Sequence, residues 1–444
     1  MNDKKGHLTL NNGMNLWEKS RTLIPGGNML LSKNKNIYSP SLWPCYYSKV
    51  KGAQVWDIDG NSYMDFSTNG VGACSLGYAC DAIDEKAIKA IQNGVMSTLN
   101  TPYEVDLAEL LIGLHPWADM ARFARTGGEA NAIAVRIARA FTGKDRIAIC
   151  GYHGWHDWYL AANLVPEDSL KEHLLEGLGA KGVPRELLGT VMTFRYNNFE
   201  DLQALNESRN LAAIKMEVAR NTEPLPGYLE AIRQICDEKN IILIFDECTS
   251  GFRETYGGLH LKYSVNPDMC MLGKALGNGY AISAVIGIKD LMQSACDTFI
   301  SSTFWTEAVG PAAAIATLDE MKTQQSWQLL PVLGAEVKKI WETASKNSCI
   351  PIQVSGINAL PTFTFQTESP LGYKTAFTEL MLREGILAST AFYPTTSHNV
   401  DHLSRYSAAV HTVFSRLGDV NRANEDISTL CEGKFCKPSF KRLN

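Results

Sequence analysis

The sequence predicts an α/β fold: a mostly parallel central sheet with helices on both faces, plus a smaller α+β domain made from the two ends of the chain. Three observations predict it. From Gly70 to about Met321, short apolar runs rich in β-branched residues alternate with stretches of helical period. Two of these runs end in chemistry-bearing residues, Asp246-Glu247 and Gly273-Lys274, placed where open sheets hold ligands, at the carboxyl edge. At 444 residues the chain is long enough for a large core and two lobes. The expected boundaries are 1–70 and 326–444 for the smaller domain and 71–325 for the larger.

Taken in order, residues from about Leu16 to Ser39 read as helical, with the loop Pro25-Gly26-Gly27 among them. Val55 to Phe66 alternates around Asp59-Gly60-Asn61 and predicts a hairpin. Gly70, Gly72 and Gly77 mark loops into the main lobe. Its clearest strands are Ile147–Cys150, Leu211–Met216 and Ile241–Phe245, the last preceded by a helix over Leu229–Lys239. A further short run, Met269–Leu272, leads into Gly273-Lys274-Ala275-Leu276-Gly277-Asn278-Gly279. Beyond Leu329, Leu360–Phe365 reads as a strand, and Ser397 as the N-cap of a last helix through Leu417. There is no internal repeat or low-complexity tract.

Composition narrows the function. Apolar residues are 45% and charged residues 20%, an ordinary globular balance, and the formal net charge of -5 argues against nucleic acid or an anionic membrane as partner. No apolar run approaches a membrane span, and Met1 to Gly6 lack a signal-peptide core. Eleven scattered cysteines without a C-x-x-C pair predict reduced thiols and a cytoplasmic protein; Cys431 and Cys436, near the end, are the candidates to pair or bind metal. His153 and His156 lack a suitably spaced carboxylate or cysteine, so no metal site is expected.

Several stations carry chemistry. A lysine at the end of an apolar strand is partly desolvated, which lowers its pKa and lets Lys274 attack a carbonyl as a neutral amine. Asp246, ending a neighbouring strand, is the partner a protonated pyridine nitrogen needs; together they are the two groups pyridoxal phosphate requires. A plain ion pair at a strand edge is the alternative. Arg125-Thr126-Gly127-Gly128-Glu129-Ala130 opens a helix with apolar residues at Ile133, Ala134, Ile137, Ala138 and Phe141. That turn is either an anion site at a helix N-terminus or a simple cap. Gly151-Tyr152-His153-Gly154-Trp155-His156-Asp157-Trp158 offers a ring to lie on a planar cofactor, or an aromatic core cluster. Glu217 ends the strand from Leu211, as a substrate contact or a solvated charge, and Thr303 is a further anion or cap candidate.

Together these stations resemble the class III aminotransferases, of fold type I among pyridoxal-phosphate enzymes, the glutamate-1-semialdehyde 2,1-aminomutases being the most similar branch. The likeness runs from Pro25-Gly26-Gly27 to Gly385-Ile386-Leu387-Ala388 and is most specific in Phe245 to Arg253 and Leu272 to Gly279. The resemblance implies that residues 71–325 bind the cofactor, with Lys274 as the Schiff-base lysine and Asp246 on the ring nitrogen. It implies that Tyr152 and Cys248 cover the two ring faces and that Thr126, Gly127 and Gly128 hold the phosphate. Thr303 would reach that phosphate from a second subunit, making a homodimer with its active sites at the interface. On the substrate side the family's arginine is Lys33 here, its Phe-Glu is Phe392-Tyr393, the glycine-rich loop before Thr303 is shortened, and Glu217 joins Lys33 as a candidate contact. Arg125 and Arg220 are further charge candidates. These departures favour transfer between a small-molecule amino donor and an aldehyde or ketone acceptor. Aminomutase, racemase or decarboxylase activity and a non-catalytic binding dimer are the alternatives.

Overall fold

Ile24 is held extended by the proline that follows it, so helix α1 (Asn11–Leu23) can go no further. Gly26 and Gly27 then take φ of 77° and 81°. The helical reading to Ser39 is therefore wrong: short 3-10 turns over Leu31–Lys33 and Lys35–Ile37 fill that stretch. The computed structural model describes residues 10–165 and 179–438. These divide into two units, 81–328 and the flanking segments 10–80 with 329–438.

In the flanking unit β1 (Tyr47–Lys51), β2 (Gln54–Asp57) and β3 (Ser62–Phe66) form an antiparallel meander. The expected hairpin is its second turn. The Asp57 carboxylate accepts the N–H groups of Asp59 (3.0 Å) and Asn61 (2.8 Å), and Gly60 supplies a φ of 89° that side chains avoid.

Among the described residues of unit 81–328, seven strands build one sheet: β4 (Met120–Ala124), β5 (Arg146–Cys150), β6 (Val191–Thr193), β7 (Leu211–Met216), β8 (Ile242–Glu247), β9 (Met269–Leu272) and β10 (Ser283–Gly287). Their order is β4-β10-β9-β8-β7-β5-β6. Only β10 runs against its neighbours, so the sheet is mostly parallel, as the alternating pattern implied. Successive side chains point to opposite faces. Ile147, Ile149, Ala213, Ile242, Ile244, Met269, Met271 and Val285 share the face that forms one core with helix α2 (Gly127–Thr142). Each fully buried Ile or Met there contributes about 1.5–3 kcal/mol. The helix turns Ala130, Ile133, Ala134, Ile137 and Ala138 inward; Phe141, assigned to the same stripe, is 46% exposed. Helix α3 (Tyr228–Lys239) precedes β8 and ends at Asn240 in the left-handed region.

The flanking unit closes with β11 (Ile352–Ser355), β12 (Thr362–Phe365) and β13 (Ile386–Ala388), the last pairing parallel with β3. Its core gathers Phe66, Trp341, Phe363, Phe377, Tyr406 and Phe414, with the Trp341 indole donating to the Tyr406 hydroxyl at 2.8 Å. The last helix, α4 (Val400–Arg422), is capped by Asn399, whose side chain accepts from the His402 N–H, and not by Ser397. Ser397 instead donates to the Leu76 carbonyl. All eleven cysteines are free thiols; those of Cys431 and Cys436 meet backbone carbonyls. No helix among the described residues is long and apolar enough to cross a membrane.

Candidate active site

Strand parity sends Asp246 and Glu247, consecutive at the end of β8, to opposite faces. Glu247 faces away from α2. Its carboxylate accepts the N–H groups of Leu259 and His260 and meets His260 Nδ1 at 2.6 Å, while His260 Nε2 accepts from the Trp117 indole. That network secures the turn after β8. Asp246 lies on the α2 face, 3% exposed. Its Oδ2 meets His153 Nδ1 at 2.8 Å and its Oδ1 accepts the Cys248 N–H at 3.1 Å. His153 Nε2 meets the Cys150 carbonyl at 3.1 Å. The Asp246 carboxylate and the Cys150 carbonyl thus hold that ring between them. Burial alone would push the Asp246 carboxyl up, but Lys215, His153 and the Cys248 N–H hold it well below the usual carboxylate range.

Lys274 follows β9 by one glycine and is forced into φ 43°, a left-handed conformation uncommon for a side-chain-bearing residue and frequent at functional sites. Its Nζ donates to the Thr249 hydroxyl at 2.6 Å. Desolvation, then the Arg220 guanidinium and more weakly Arg253, pull this amine down to about 8, against opposite pulls from Cys248 and Glu217. Reductive alkylation of the cofactor-free protein should therefore rise with pH and level off above about 8 at Lys274, while ordinary lysines keep rising toward ~10.4. Peptide mass spectrometry reads this; a Lys274 profile overlaying that of surface lysines contradicts it.

Thr126 is the N-cap of α2. Its hydroxyl is engaged in a capping box with Glu129, so the anion-binding capacity of this turn rests on the peptide N–H groups and dipole of the first helical turn. A Cβ on Gly128 would come within 2.8 Å of the His156 ring, with the Trp155 indole nitrogen at 3.7 Å. His156 Nδ1 is buried with no hydrogen-bond partner among the described residues. Beside it, a Cβ on Gly127 would lie 3.2 Å from Cys248 Sγ, and one on Gly273 3.5 Å from the same sulfur. The cradle, the orphaned imidazole nitrogen and the buried acid form a surround that fits a planar pyridine carrying a phosphate.

Tyr152 is half-buried and donates its N–H to Glu217 at 3.3 Å. Glu217 is 4% exposed and paired with Arg220 at 3.3 Å, so it is no solvated loop charge. Arg125 is committed elsewhere: it pairs with Glu307 at 2.9 Å and donates to the Trp305 and Glu307 carbonyls. Thr303 opens an exposed 3-10 turn, Thr303–Thr306. Lys33 is exposed and belongs to the other unit. The carboxyl rim of β5, β7, β8 and β9 and the start of α2 thus bring together Asp246, Lys274, Cys248, Glu217, Tyr152 and the Thr126–Gly128 turn. Sequence reasoning missed His153 as the Asp246 partner, His156 in the cradle, Thr249 on the lysine, and Lys215. Only Lys215 carried a signal, a cation inside an apolar strand run.

Residues 37–402 match the family model of class-III aminotransferases. The chain is 34% identical over 386 residues to a 3-aminobutyryl-CoA aminotransferase from Cloacimonas acidaminovorans, covering 84% of this chain and 88% of that one. It is 30% identical over 433 residues to a glutamate-1-semialdehyde 2,1-aminomutase from Citrifermentans bemidjiense, covering 90% and 98%. The FumI protein of Sphingopyxis sp. MTA144, solved in its PLP internal aldimine form, superposes with a TM-score of 0.84 at 25% identity, over 95% of this chain and 100% of that one. The chain belongs to the class III aminotransferases, pyridoxal-phosphate enzymes of fold type I.

Proposed function

We propose that the protein is an aminotransferase that moves an amino group between a small-molecule amine and an aldehyde or ketone. The observation that carries this is Lys274: a half-buried amine, pulled down to about 8, at the strand edge shared with a deeply buried, charged Asp246. Bound pyridoxal phosphate supplies an aldehyde that carries the amino group and a ring that withdraws electrons from the reacting carbon. Asp246 holds a proton on the ring nitrogen. Gly127, Gly128 and His156 hold the phosphate, with Thr126 shaping their turn. Tyr152 and Cys248 bound the ring on its two faces. Lys274 Nζ takes a proton from the substrate carbon and returns it on the other side of the transfer, a general acid–base role that suits an amine titrating near neutral pH.

Transfer between two molecules is favoured over transfer within one by Lys33, which lacks the bidentate fork of an arginine, and by Phe392-Tyr393. The aminotransferase relative named for 3-aminobutyryl-CoA supports the same reading, and the aminomutase relatives support the second one. Lys33 and Glu217 are the proposed substrate contacts. Leu99, Phe304, Ile91 and Ile88 are 81%, 67%, 52% and 51% exposed, an apolar set that fits a homodimer in which Thr303 serves the partner's site. Eleven free thiols fit a reducing, cytoplasmic setting. The test is a spectroscopic screen of amines against the cofactor-loaded protein. A productive donor converts the aldehyde form of the cofactor to its amine form, and a carbonyl acceptor restores it. Product formation from a single amino-aldehyde with no acceptor would establish the aminomutase reading instead.

A further inference from the structure

Beneath the proposed ring site lies a second buried amine that the reaction above does not use. Lys215 is fully buried in the middle of the sheet, where a lone ammonium is costly. It sits on β7 opposite Ile149 of β5 and Ile244 of β8, one same-face step behind Asp246. Its Nζ reaches Met271 Sδ at 3.7 Å, and Met271 is the β9 residue opposite Asp246. Since the order is β7-β8-β9, the side chain crosses over β8 on the α2 face, under the Asp246 carboxylate. Among the described residues its only hydrogen-bonding contact is that thioether, a weak acceptor. The ionisable groups around it are Asp246 and Cys248 at the end of β8, Cys270 on β9 and Glu217 after β7. From α2, Ala130, Ile133, Ala134, Val135, Ile137 and Ala138 join the core on this face, and the helix also buries the Asn131 amide, which donates to the Gly127 carbonyl.

Resting on the reading of Asp246 as the ring-nitrogen partner, we infer that Lys215 is a positioning residue: a buried cation that, alongside the His153 contact, shares the Asp246 charge with the cofactor ring and so limits how tightly that ring is held. Two cations facing one carboxylate repel each other in a low dielectric. The Lys215 amine is itself pulled down to about 8 by burial, with Asp246 opposing, so the sharing is strongest below that pH and fades above it. A ring held less tightly keeps its nitrogen less basic, which tempers the electron withdrawal Asp246 alone would impose.

The experiment compares the parent with Lys215→Met, which keeps length and removes charge, and with Lys215→Gln as a second neutral variant. Apoprotein of each is titrated at pH 7 with pyridoxal phosphate and with deazapyridoxal phosphate, in which carbon replaces the ring nitrogen. Both variants should bind pyridoxal phosphate about three- to tenfold tighter than the parent, with the deaza analogue changed less than about twofold. The visible-band pH midpoint of the loaded variants should also move upward by about half a unit or more. A merely structural lysine would shift both ligands together or neither, and either result overturns the inference while leaving Asp246 its role. A parent that does not distinguish the two ligands overturns both.

Discussion

Lys274→Ala should lose about 10⁴-fold or more of the amino-transfer rate, since the variant lacks both the nucleophile and the acid–base group. The loss should be chemical and not structural. Lys274 is half-buried and its one side-chain hydrogen bond among the described residues is to the Thr249 hydroxyl, so truncation removes about 1 kcal/mol of hydrogen bonding and no core. The variant should keep the parent's melting temperature and still bind pyridoxal phosphate through the α2 cradle and Asp246. It should no longer retain the cofactor after borohydride treatment and denaturation, whereas the parent should carry it on the peptide containing Lys274. Activity within tenfold of the parent, or borohydride-fixed cofactor on another lysine, would remove Lys274 from the centre of the reaction.

Asp246→Asn should fail differently, in stability as well as catalysis. The substitution preserves shape but takes the carboxylate from His153, hydrogen-bonded at 2.8 Å, and the counter-charge from the buried Lys215. Removing one partner from such a buried group costs roughly 3–5 kcal/mol, so the apoprotein should melt well below the parent. Activity should drop by about 10²–10³-fold and cofactor affinity should fall, because an amide does not hold the ring nitrogen protonated. The pH dependence has a definite sign. The Asp246 carboxyl is depressed in the folded state, so its stabilisation is complete above the unfolded value of ~3.9 and fades as pH falls below it. The stability gap between parent and variant should therefore be full at neutral pH and narrow under acid. Equal melting temperatures at pH 7 would mean that the carboxylate charge is not what holds His153 and Lys215.

The alternation of apolar runs with helical periods was enough to give a mostly parallel sheet, because strands and helices bury their faces at different spacings. The motif around Lys274 was equally legible, being a local arrangement of strand end, glycine and amine. Reading failed where a residue's fate depended on partners far along the chain. Arg125 looked free for substrate until Glu307 was seen against it. Glu217 looked as much a solvated charge as a substrate contact until Arg220 and the Tyr152 N–H closed around it. The helix assigned from Leu16 to Ser39 failed for a local reason, the Pro25-Gly26-Gly27 geometry.

By itself, then, the sequence determined the fold class and the family and singled out Lys274 and Asp246, since periodicity and contiguous motifs are written in neighbouring residues. Only the tertiary structure decided that His153 backs Asp246, that His156 overhangs the first turn of α2, and that Lys215 runs beneath the same carboxylate. Those contacts join residues separated by strand crossings. They exist only once parity and register have put distant side chains on one face of the sheet.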